Sequence, residues 1–308
     1  MSAMSLNIYV LWVIIVVLLI LLSYISIKLW WKNTTLPMNL WNQQRVAFVS
    51  LMRNPVDLPL WLKYHRNMGI RRFFIRLEDS PSWEEYLRDA PDVVLEIGKS
   101  DQTGNNYTSL IDRQKVYVNQ TMKNVGNLYD IDWLIHIDAD ELLHGDINKL
   151  TTLSETYKTV KLENAEAIFD EKKQDTCFAA KDFLRCSKGA PCKSYVNGKP
   201  AGRTQDPNVT LAGPHDFAYK NEIEGNFRHD MPFEDLHILH FEGCSFGGWV
   251  EKYYHLSKND KKDMPFAYYK ESMEAAKEAH KLYKINKMPE PQSFNQNQVY
   301  HVYKSIIN

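Results

Sequence analysis

The segment from Trp133 to Leu143 constrains this chain most, because an apolar run is followed at once by carboxylates. Trp133 to Ile137 predicts a buried strand, and Asp138, Asp140 and Glu141 come directly after it. Ionised carboxylates at the end of a core strand are costly unless a cation or hydrogen-bond donors compensate them. Carboxylates and substrate phosphates are the ligands that Mg²⁺ and similar hard cations prefer. The pattern therefore predicts a metal site at the carboxyl end of a sheet strand, and a solvated turn is the simpler alternative.

Strand patterns alternate with helix patterns in the first half of the chain. Strands are predicted at 45–52, 72–77, 93–97 and 133–137, and helices at 57–69 and 110–123. This alternation is typical of parallel βαβ units, so we predict a doubly wound α/β sheet. The pattern is irregular from 169 to 228, and a charged helix at 265–284 is predicted to cover the surface.

The N-terminal segment 8–27 contains no charged residue and is nearly all aliphatic. As a helix it would be about 30 Å long, which matches the hydrocarbon core of a bilayer. A cleaved signal peptide would need a basic start and a small-residue cleavage site, and both are missing. We therefore predict a single membrane anchor over 1–32, a stem over 33–44 and one domain over 45–308.

Two sets of sequence signals predict opposite orientations of this anchor. Lys28 and Lys32 follow the segment and no Lys or Arg precedes it, which favours a cytoplasmic domain by the positive-inside rule. Four Asn-x-Ser/Thr sequons favour a lumenal domain; they begin at Asn33, Asn106, Asn119 and Asn208. We favour the lumenal side of the Golgi or endoplasmic reticulum, with a single-pass anchor.

The cysteines support the same orientation. They are even in number, and three of them lie within sixteen residues: the set is Cys177, Cys186, Cys192 and Cys244. An even, clustered set predicts one or two disulfides in an oxidising compartment. Reduced buried cysteines and a zinc site are the alternatives, although no Cys-x-x-Cys pair is present.

Composition excludes one class of partner. The formal net charge is −1, so a nucleic-acid partner is not expected, since phosphate backbones are bound by basic surfaces. Hydrophobic residues make up 44% of the chain, which is enough for a substantial core.

Several short motifs accompany the acidic segment in a fixed order. Arg53-Asn54-Pro55 ends the first strand, Glu78-Asp79-Ser80 ends the second, and Arg113-Gln114 lies on the helix before the acidic strand. Together with a Trp61-containing helix and Asp138-Ala-Asp140-Glu141, these motifs resemble the nucleotide-sugar-binding half of GT-A glycosyltransferases. The resemblance is greatest to family 2-like and family 92-like enzymes. Pro55 departs from the acidic residue usual at its position in these enzymes.

The second half of the chain continues this resemblance more thinly. Its motifs are Lys193-Ser194-Tyr195 with Gly213-Pro214-His215, His237-Ile-Leu-His240-Phe, and Ser245-Phe-x-x-Trp249-Val-Glu-Lys252. The resemblance implies a GT-A type mixed sheet, with an irregular half that receives the acceptor. It implies metal-dependent transfer of a sugar from a nucleoside-diphosphate sugar, with a UDP-sugar favoured. The acceptor would be a hydroxyl of a glycan or glycoprotein, and the transfer would be inverting.

The resemblance also implies roles for individual side chains. The metal, Mn²⁺ or Mg²⁺, would be held by Asp138, Asp140 and His240, with Glu141 orienting these ligands. The nucleotide sugar would be bound by Arg53, Asn54, Glu78, Asp79, Arg113, Asp138 and Lys252. The acceptor would contact Trp249 and His215. For His240 a structural role at a strand end is the alternative, as are core packing for Trp249 and simple solvation for Lys252.

A general base is also expected near the acceptor hydroxyl. Phe233-Glu234-Asp235 resembles the base motif of related enzymes, in which the aspartate acts, so Asp235 is the first candidate and Glu234 accompanies it. Asp216 and Asp230 are the other available acids, and a solvated charge pair in a loop is the alternative for the motif. The Gly-rich stretch 243–248 is predicted to be a lid over the diphosphate.

Two other functions fit parts of the sequence. One is a metal-dependent phosphotransferase or phosphatase that uses Asp138 and Asp140, although neither a nucleophilic Asp nor a phosphate-binding Gly-rich loop is apparent. The other is a catalytically silent, membrane-anchored protein that binds carbohydrate.

Overall fold

The computed structural model of the chain describes residues 45–100, 106–168, 177–186, 196–220, 227–242, 246–258 and 267–286. The predicted anchor and stem lie outside these ranges. Within them, every helix is too short or too polar to cross a bilayer.

Strands and helices alternate up to residue 145, and strands dominate after it. The strands are β1 Val46–Arg53, β2 Arg72–Glu78, β3 Val93–Gly98, β4 Trp133–His136, β5 Glu141–Gly145, β6 Thr159–Leu162, β7 Asn164–Ile168, β8 Asp182–Cys186, β9 Lys199–Arg203, β10 Val209–Gly213, β11 Asp216–Tyr219, β12 Arg228–Asp230 and β13 Leu236–His240. The α-helices are α1 Leu58–Asn67, α2 Glu84–Arg88, α3 Asn106–Tyr129, α4 Asn148–Thr151, α5 Phe246–Ser257 and α6 Ala267–Asn286. Short 3₁₀ helices lie at Pro81–Trp83 and Cys177–Ala179.

The main sheet is mixed and has the strand order β12-β6-β9-β4-β1-β2-β3. β1 is parallel to both β2 and β4, and β2 is parallel to β3. β9 runs antiparallel to β4 and β6 on either side of it. The predicted α/β class with a mixed sheet is confirmed, because the parallel strands come from the alternating first half of the chain.

Both faces of the main sheet are covered, which explains why β1 is apolar along almost its whole length. On one face Phe48 and Phe73 pack with Trp61 and Leu62 of α1. On the other face, α3 and the β10–β11 hairpin cover the sheet through a cluster that includes Ala47, Phe74, Val118, Val209 and Phe217.

A second sheet has the order β5-β13-β7-β8. β13 lies antiparallel to β5, with His240 opposite Glu141, and parallel to β7, with His240 beside Glu166. This pairing carries the segment after the acidic motif directly alongside the late histidine.

The interpretation of 169–228 as irregular is wrong, because β8 to β11 lie within it. β9 reads Lys-Pro-Ala-Gly-Arg, which has little strand character, and it is a strand because partners pair with it on both sides. A Cβ at Gly202 would lie 2.9 Å from Val209 and 3.1 Å from Phe217, so a larger residue here would press on the β10–β11 hairpin that covers the strand. Tertiary contacts thus override local propensity here.

The C-terminal helix was predicted at 265–284 and is found at Ala267–Asn286. Met273, Ala276 and Ala279 are buried, whereas Glu274 and Lys277 are exposed. The helix is therefore an amphipathic cover, as predicted, and its buried face belongs to the same core as Trp249 and Tyr253 of α5.

Both cysteines in the described ranges, Cys177 and Cys186, are disulfide-bonded. For these two the disulfide prediction is confirmed, and the reduced and zinc-bound alternatives are wrong. Cys192 and Cys244 lie outside the described residues, as does the first half of the predicted lid, 243–245, whereas its second half, 246–248, begins helix α5.

Candidate active site

The acidic motif lies at the edge of the main sheet where the parallel strands end. Asp138 and Asp140 occupy the connection between β4 and β5. Asn54 and Asp79 follow β1 and β2 at the same edge, because β1 is parallel to both β2 and β4. Ligands of open α/β sheets bind at such an edge.

Asp140, His240 and Glu242 form a group that could hold a metal ion. One ligand atom from each lies within 4.8 Å of the others. His240 Nε2 is 3.9 Å from Asp140 Oδ2 and 3.7 Å from Glu242 Oε2. Two carboxylates and one imidazole suit Mn²⁺, and carboxylates with substrate phosphates suit Mg²⁺. The residues present therefore fit the predicted cation.

Glu166 orients the histidine of this group. Its carboxylate oxygens lie 2.8 and 2.9 Å from His240 Nδ1, and both residues are buried. This contact turns Nε2 of His240 towards Asp140 and Glu242. Burial lowers the pKa of His240, but the carboxylates of Glu166, Asp140 and Glu242 raise it more, to about 10. A carboxylate behind a ligating imidazole is the usual support of metal-binding histidines.

Lys252 of α5 is ion-paired with two members of the group. Its ammonium nitrogen is 3.1 Å from Asp140 Oδ2 and 2.9 Å from Glu242 Oε1. Tyr253 donates a hydrogen bond to Glu242 Oε1 over 2.9 Å. Burial raises the pKa of Asp140, but the charges of Lys252 and His240 outweigh it and hold that pKa below its ordinary value. The cluster thus has three acidic or imidazole donors and one ammonium partner.

Asp138 belongs to a different network. Its carboxylate pairs with the ammonium group of the wholly buried Lys199 and accepts a hydrogen bond of 3.4 Å from Gln114. Lys199 also lies 3.4 Å from Glu141, whose carboxylate accepts the Asp138 backbone N–H over 2.8 Å. Burial raises the pKa of Asp138, but the charge of Lys199 lowers it by more, so this pKa lies below its ordinary range.

Asp138 was expected to hold either the ribose or the metal, and ligation of one metal by Asp138 and Asp140 together stays a prediction. The structure brings Asp140 to His240, as predicted, but Asp138 is outside that group and engages Lys199 instead. Glu141, predicted to orient the ligands, is fully buried and supports the motif from inside. Asp138 is held apart from the group because β9 places the buried ammonium group of Lys199 next to its carboxylate.

Helix α1 fixes the backbone of the motif. The indole N–H of Trp61 donates to the carbonyl of Glu141 over 2.8 Å, and Nε2 of His65 accepts the N–H of Leu143 over 3.0 Å. Both side chains are buried, and their rings contact each other and Phe48. The Trp-containing helix therefore holds β5, and with it the acidic loop, against the main sheet.

The loops after β1 and β2 are tied to each other. The backbone N–H of Asn54 donates to Ser80 Oγ over 2.7 Å, and Arg53 lies 3.9 Å from Asp79. Asn54 and Asp79 both have φ 47°, a left-handed conformation that Asn and Asp tolerate better than other side chains. The Arg53 side chain is 43% exposed, so it is available to an anionic ligand at this edge.

Glu78 and Arg113 lie close together and form an ion pair with each other. Nε of Arg113 is 2.9 Å from Glu78 Oε1, and Arg76 makes a second contact of 3.0 Å to the same oxygen. Glu78 is wholly buried. The structure thus gives the pair a bracing role below the loops, and direct contact of Glu78 with a nucleotide sugar is not supported by its position.

Glu234 and Asp235 lie at the opposite end of β13 from His240. Five strand residues separate the two ends, which is roughly 16 Å. Asp235 is paired with Lys149 at 3.3 Å, and Glu234, with its side chain 76% exposed, lies 3.4 Å from Arg185. The structure does not bring this motif to the candidate metal group, so its assignment as the base is not supported.

Trp249 and His215 have different surroundings. Trp249 is 0% exposed within the main core, so its faces are not available to an acceptor and that prediction is corrected. His215 is half-buried, and its Nδ1 donates to the Gly198 carbonyl over 2.8 Å. Burial and the charge of Lys199 lower the pKa of His215 to about 3. His215 therefore lies within electrostatic range of the Lys199–Asp138 network.

Sequence reasoning did not find Glu242, Glu166 or Lys199. Glu242 follows His240 by two residues, a spacing that brings both to one side of an extended chain, and this signal was available. Glu166 is a lone carboxylate in the apolar strand β7, which also indicates a special role. Lys199 carries no comparable signal, since the sequence around it is that of a loop.

No known family profile and no characterised protein sequence matches this chain. Among solved structures, HddC from Yersinia pseudotuberculosis aligns at 9% identity over 67% of this chain and 96% of that chain, with a TM-score of 0.36. The inositol-1-phosphate CTP transferase from T. maritima aligns at 11% identity over 72% and 98%, with a TM-score of 0.32. CTP:phosphocholine cytidylyltransferase from Streptococcus pneumoniae aligns at 13% identity over 68% and 97%, with a TM-score of 0.30.

Proposed function

We propose that this chain is a divalent-metal-dependent glycosyltransferase. It would transfer a sugar from a nucleoside-diphosphate sugar, with a UDP-sugar favoured, to a hydroxyl of a glycan or glycoprotein. The observation that carries the proposal is the grouping of Asp140, His240 and Glu242 beside Asp138 at the carboxyl edge of the parallel strands. The motif resemblance of 46–143 to GT-A enzymes supports it independently of that geometry.

Each part of the site would have a separate task. Asp140, Glu242 and His240 would hold Mn²⁺ or Mg²⁺, which when bound neutralises charge on the departing diphosphate. Asp138, kept ionised by Lys199, would accept a hydrogen bond from a ribose hydroxyl. Arg53 would supply positive charge to the nucleotide from the loop after β1. Asp235 is not assigned the proton transfer, because it lies at the far end of β13.

The proposal extends to location. Cys177 and Cys186 are disulfide-bonded, and disulfides persist in oxidising compartments. We therefore propose that 8–27 anchors the chain and that the domain faces the lumen of the Golgi or endoplasmic reticulum. Protease treatment of sealed microsomes tests this, since a lumenal domain is digested only after detergent is added.

The proposed activity is tested with a panel of nucleotide sugars and Mn²⁺. Release of the nucleoside diphosphate from one or a few donors, abolished by a chelator and by Asp140→Asn, is expected. Release of inorganic phosphate from phosphomonoesters, without donor hydrolysis, would favour a phosphatase. Binding of glycans without turnover of any donor would favour the silent carbohydrate-binding protein.

A further inference from the structure

Lys252 forms ion pairs with two of the three candidate metal ligands. Its ammonium nitrogen lies between two carboxylates from different segments, 3.1 Å from Asp140 and 2.9 Å from Glu242. These are two of the three residues whose donor atoms approach closely enough to share a cation. The ammonium group therefore occupies the place of a positive charge in this cluster.

A bound cation and this ammonium group exclude each other electrostatically. A Mg²⁺ or Mn²⁺ ion lies about 2.1 Å from its carboxylate oxygens. An ammonium nitrogen about 3 Å from the same oxygens would then be only a few ångströms from the ion, where like charges repel strongly even when partly screened. One of the two charges has to leave.

Lys252 is the charge that can move. Its side chain is 35% exposed, and a four-carbon stem lets its ammonium group swing without displacement of α5. An ammonium group displaced from two carboxylates needs a new anionic partner, since an uncompensated charge in a partly buried site is costly. The diphosphate of the donor would provide that partner.

We propose that Lys252 is a built-in competitor of the divalent cation, and that cation binding transfers its ammonium group from Asp140 and Glu242 to the diphosphate. This inference rests on the proposed function. It makes cation and diphosphate binding cooperative, because each relieves a cost that the other imposes. Coupling of this kind is reciprocal and is typically about 5- to 150-fold in affinity.

The test measures Mn²⁺ binding by the full-length chain in detergent. Free Mn²⁺ is read by electron paramagnetic resonance with and without UDP, and corrected for the Mn²⁺–UDP complex. Lys252→Met should bind Mn²⁺ alone at least about fivefold more tightly than the wild type. The enhancement of Mn²⁺ binding by UDP should be smaller in this variant. Lys149→Met, which removes a charge paired with the distant Asp235, should behave like the wild type.

A second measurement guards against a variant that folds poorly. Lys252→Met leaves Asp140 and the buried Glu242 without their ammonium partner, so its Tm should fall without metal. Added Mn²⁺ should raise the Tm of Lys252→Met by more than it raises the Tm of the wild type, since the cation replaces the missing charge.

The outcomes separate this inference from the proposed function. If the wild type binds Mn²⁺ but Lys252→Met binds it equally or more weakly, the inference is overturned and the glycosyltransferase proposal stands. If neither protein binds Mn²⁺ even with UDP, both are overturned. If Lys252→Met gains Mn²⁺ affinity as expected but no nucleotide sugar is hydrolysed, the competition is supported and the proposed reaction fails.

Discussion

Lys199 is wholly buried, and its ammonium group is ion-paired with the Asp138 carboxylate. The two residues are 61 positions apart in the chain; Lys199 lies on β9, and Asp138 follows the neighbouring strand β4. Glu141 shares the same ammonium group at 3.4 Å. This buried charge thus fixes both ends of the acidic loop.

Loss of the Lys199 charge should destabilise the fold. Lys199→Met leaves Asp138 and Glu141 without their cation, and breaking such a buried pair costs about 3–5 kcal/mol. Urea denaturation should show this loss in the free energy of unfolding. Adding Asp138→Asn to Lys199→Met should recover part of it. Equal stability of the wild type and Lys199→Met would show that the pair is not coupled to folding.

Asp140 and Asp235 should respond differently to the same substitution. Asp140→Asn should abolish nucleotide-sugar turnover because it removes a ligand of the candidate metal group, and the fold should stay intact because Lys252 keeps its ion pair with Glu242. Asp235→Asn should keep activity within about threefold, since this carboxylate lies roughly 16 Å away along β13. A matched kinetic assay of both variants decides, and a large loss in Asp235→Asn would restore that residue as the base.

Glu166 should tune metal affinity without touching the metal. Its carboxylate orients His240 through Nδ1, so Glu166→Gln should weaken Mn²⁺ binding about 10- to 100-fold. Glu163→Gln is the matched control, because Glu163 pairs with Arg185 at the surface. Direct Mn²⁺ titration of the two variants tests the effect. Equal affinities would show that Glu166 does not support a metal-bound His240.

His65 should make stability depend on pH. Burial lowers its folded pKa to about 3, against an ordinary value of 6.5. Between pH 6.5 and 3 the unfolded chain therefore binds a proton at His65 that the folded protein does not bind. The contribution of His65 to stability is complete above pH 6.5 and is lost as the pH falls towards 3. The expected slope from this group is about 1.4 kcal/mol per pH unit.

The test compares His65→Gln with Leu62→Ala. His65→Gln removes the titrating group, so the free energy of unfolding should fall less steeply between pH 6 and 4 than in the wild type. Leu62→Ala removes a buried apolar side chain from the same helix and should lower stability without altering this slope. An unchanged slope in His65→Gln would show that His65 does not couple folding to protons.

The anchor prediction is tested by truncation. Because 8–27 is uncharged and of spanning length, deletion of residues 1–32 should give a protein that stays monodisperse without detergent and retains nucleotide-sugar turnover. Size-exclusion chromatography and the donor assay measure both. A truncated protein that still required detergent would place the membrane-binding surface elsewhere.

Local sequence patterns were sufficient to locate the first four strands of the main sheet. β1, β2, β3 and β4 were found within one residue at each end, because apolar runs bounded by polar turns are local signals. The acidic motif after β4 and the late His240 were also readable, since each combines an apolar strand with a polar residue at its end. The predicted charged C-terminal helix likewise follows from local periodicity.

The pairing of the charges follows from long-range packing in the folded protein. Lys199 meets Asp138, Glu166 meets His240, and Lys252 meets Asp140, over 61, 74 and 112 positions of the chain. These contacts depend on the register of β9, β7 and β13 and on the placement of α5, none of which is specified by local periodicity. The same long-range packing buries Trp249 and moves Asp235 away from the site. The types of residue needed for the chemistry were thus visible in the sequence, whereas their partners were set by distant strands that pair only in the folded protein.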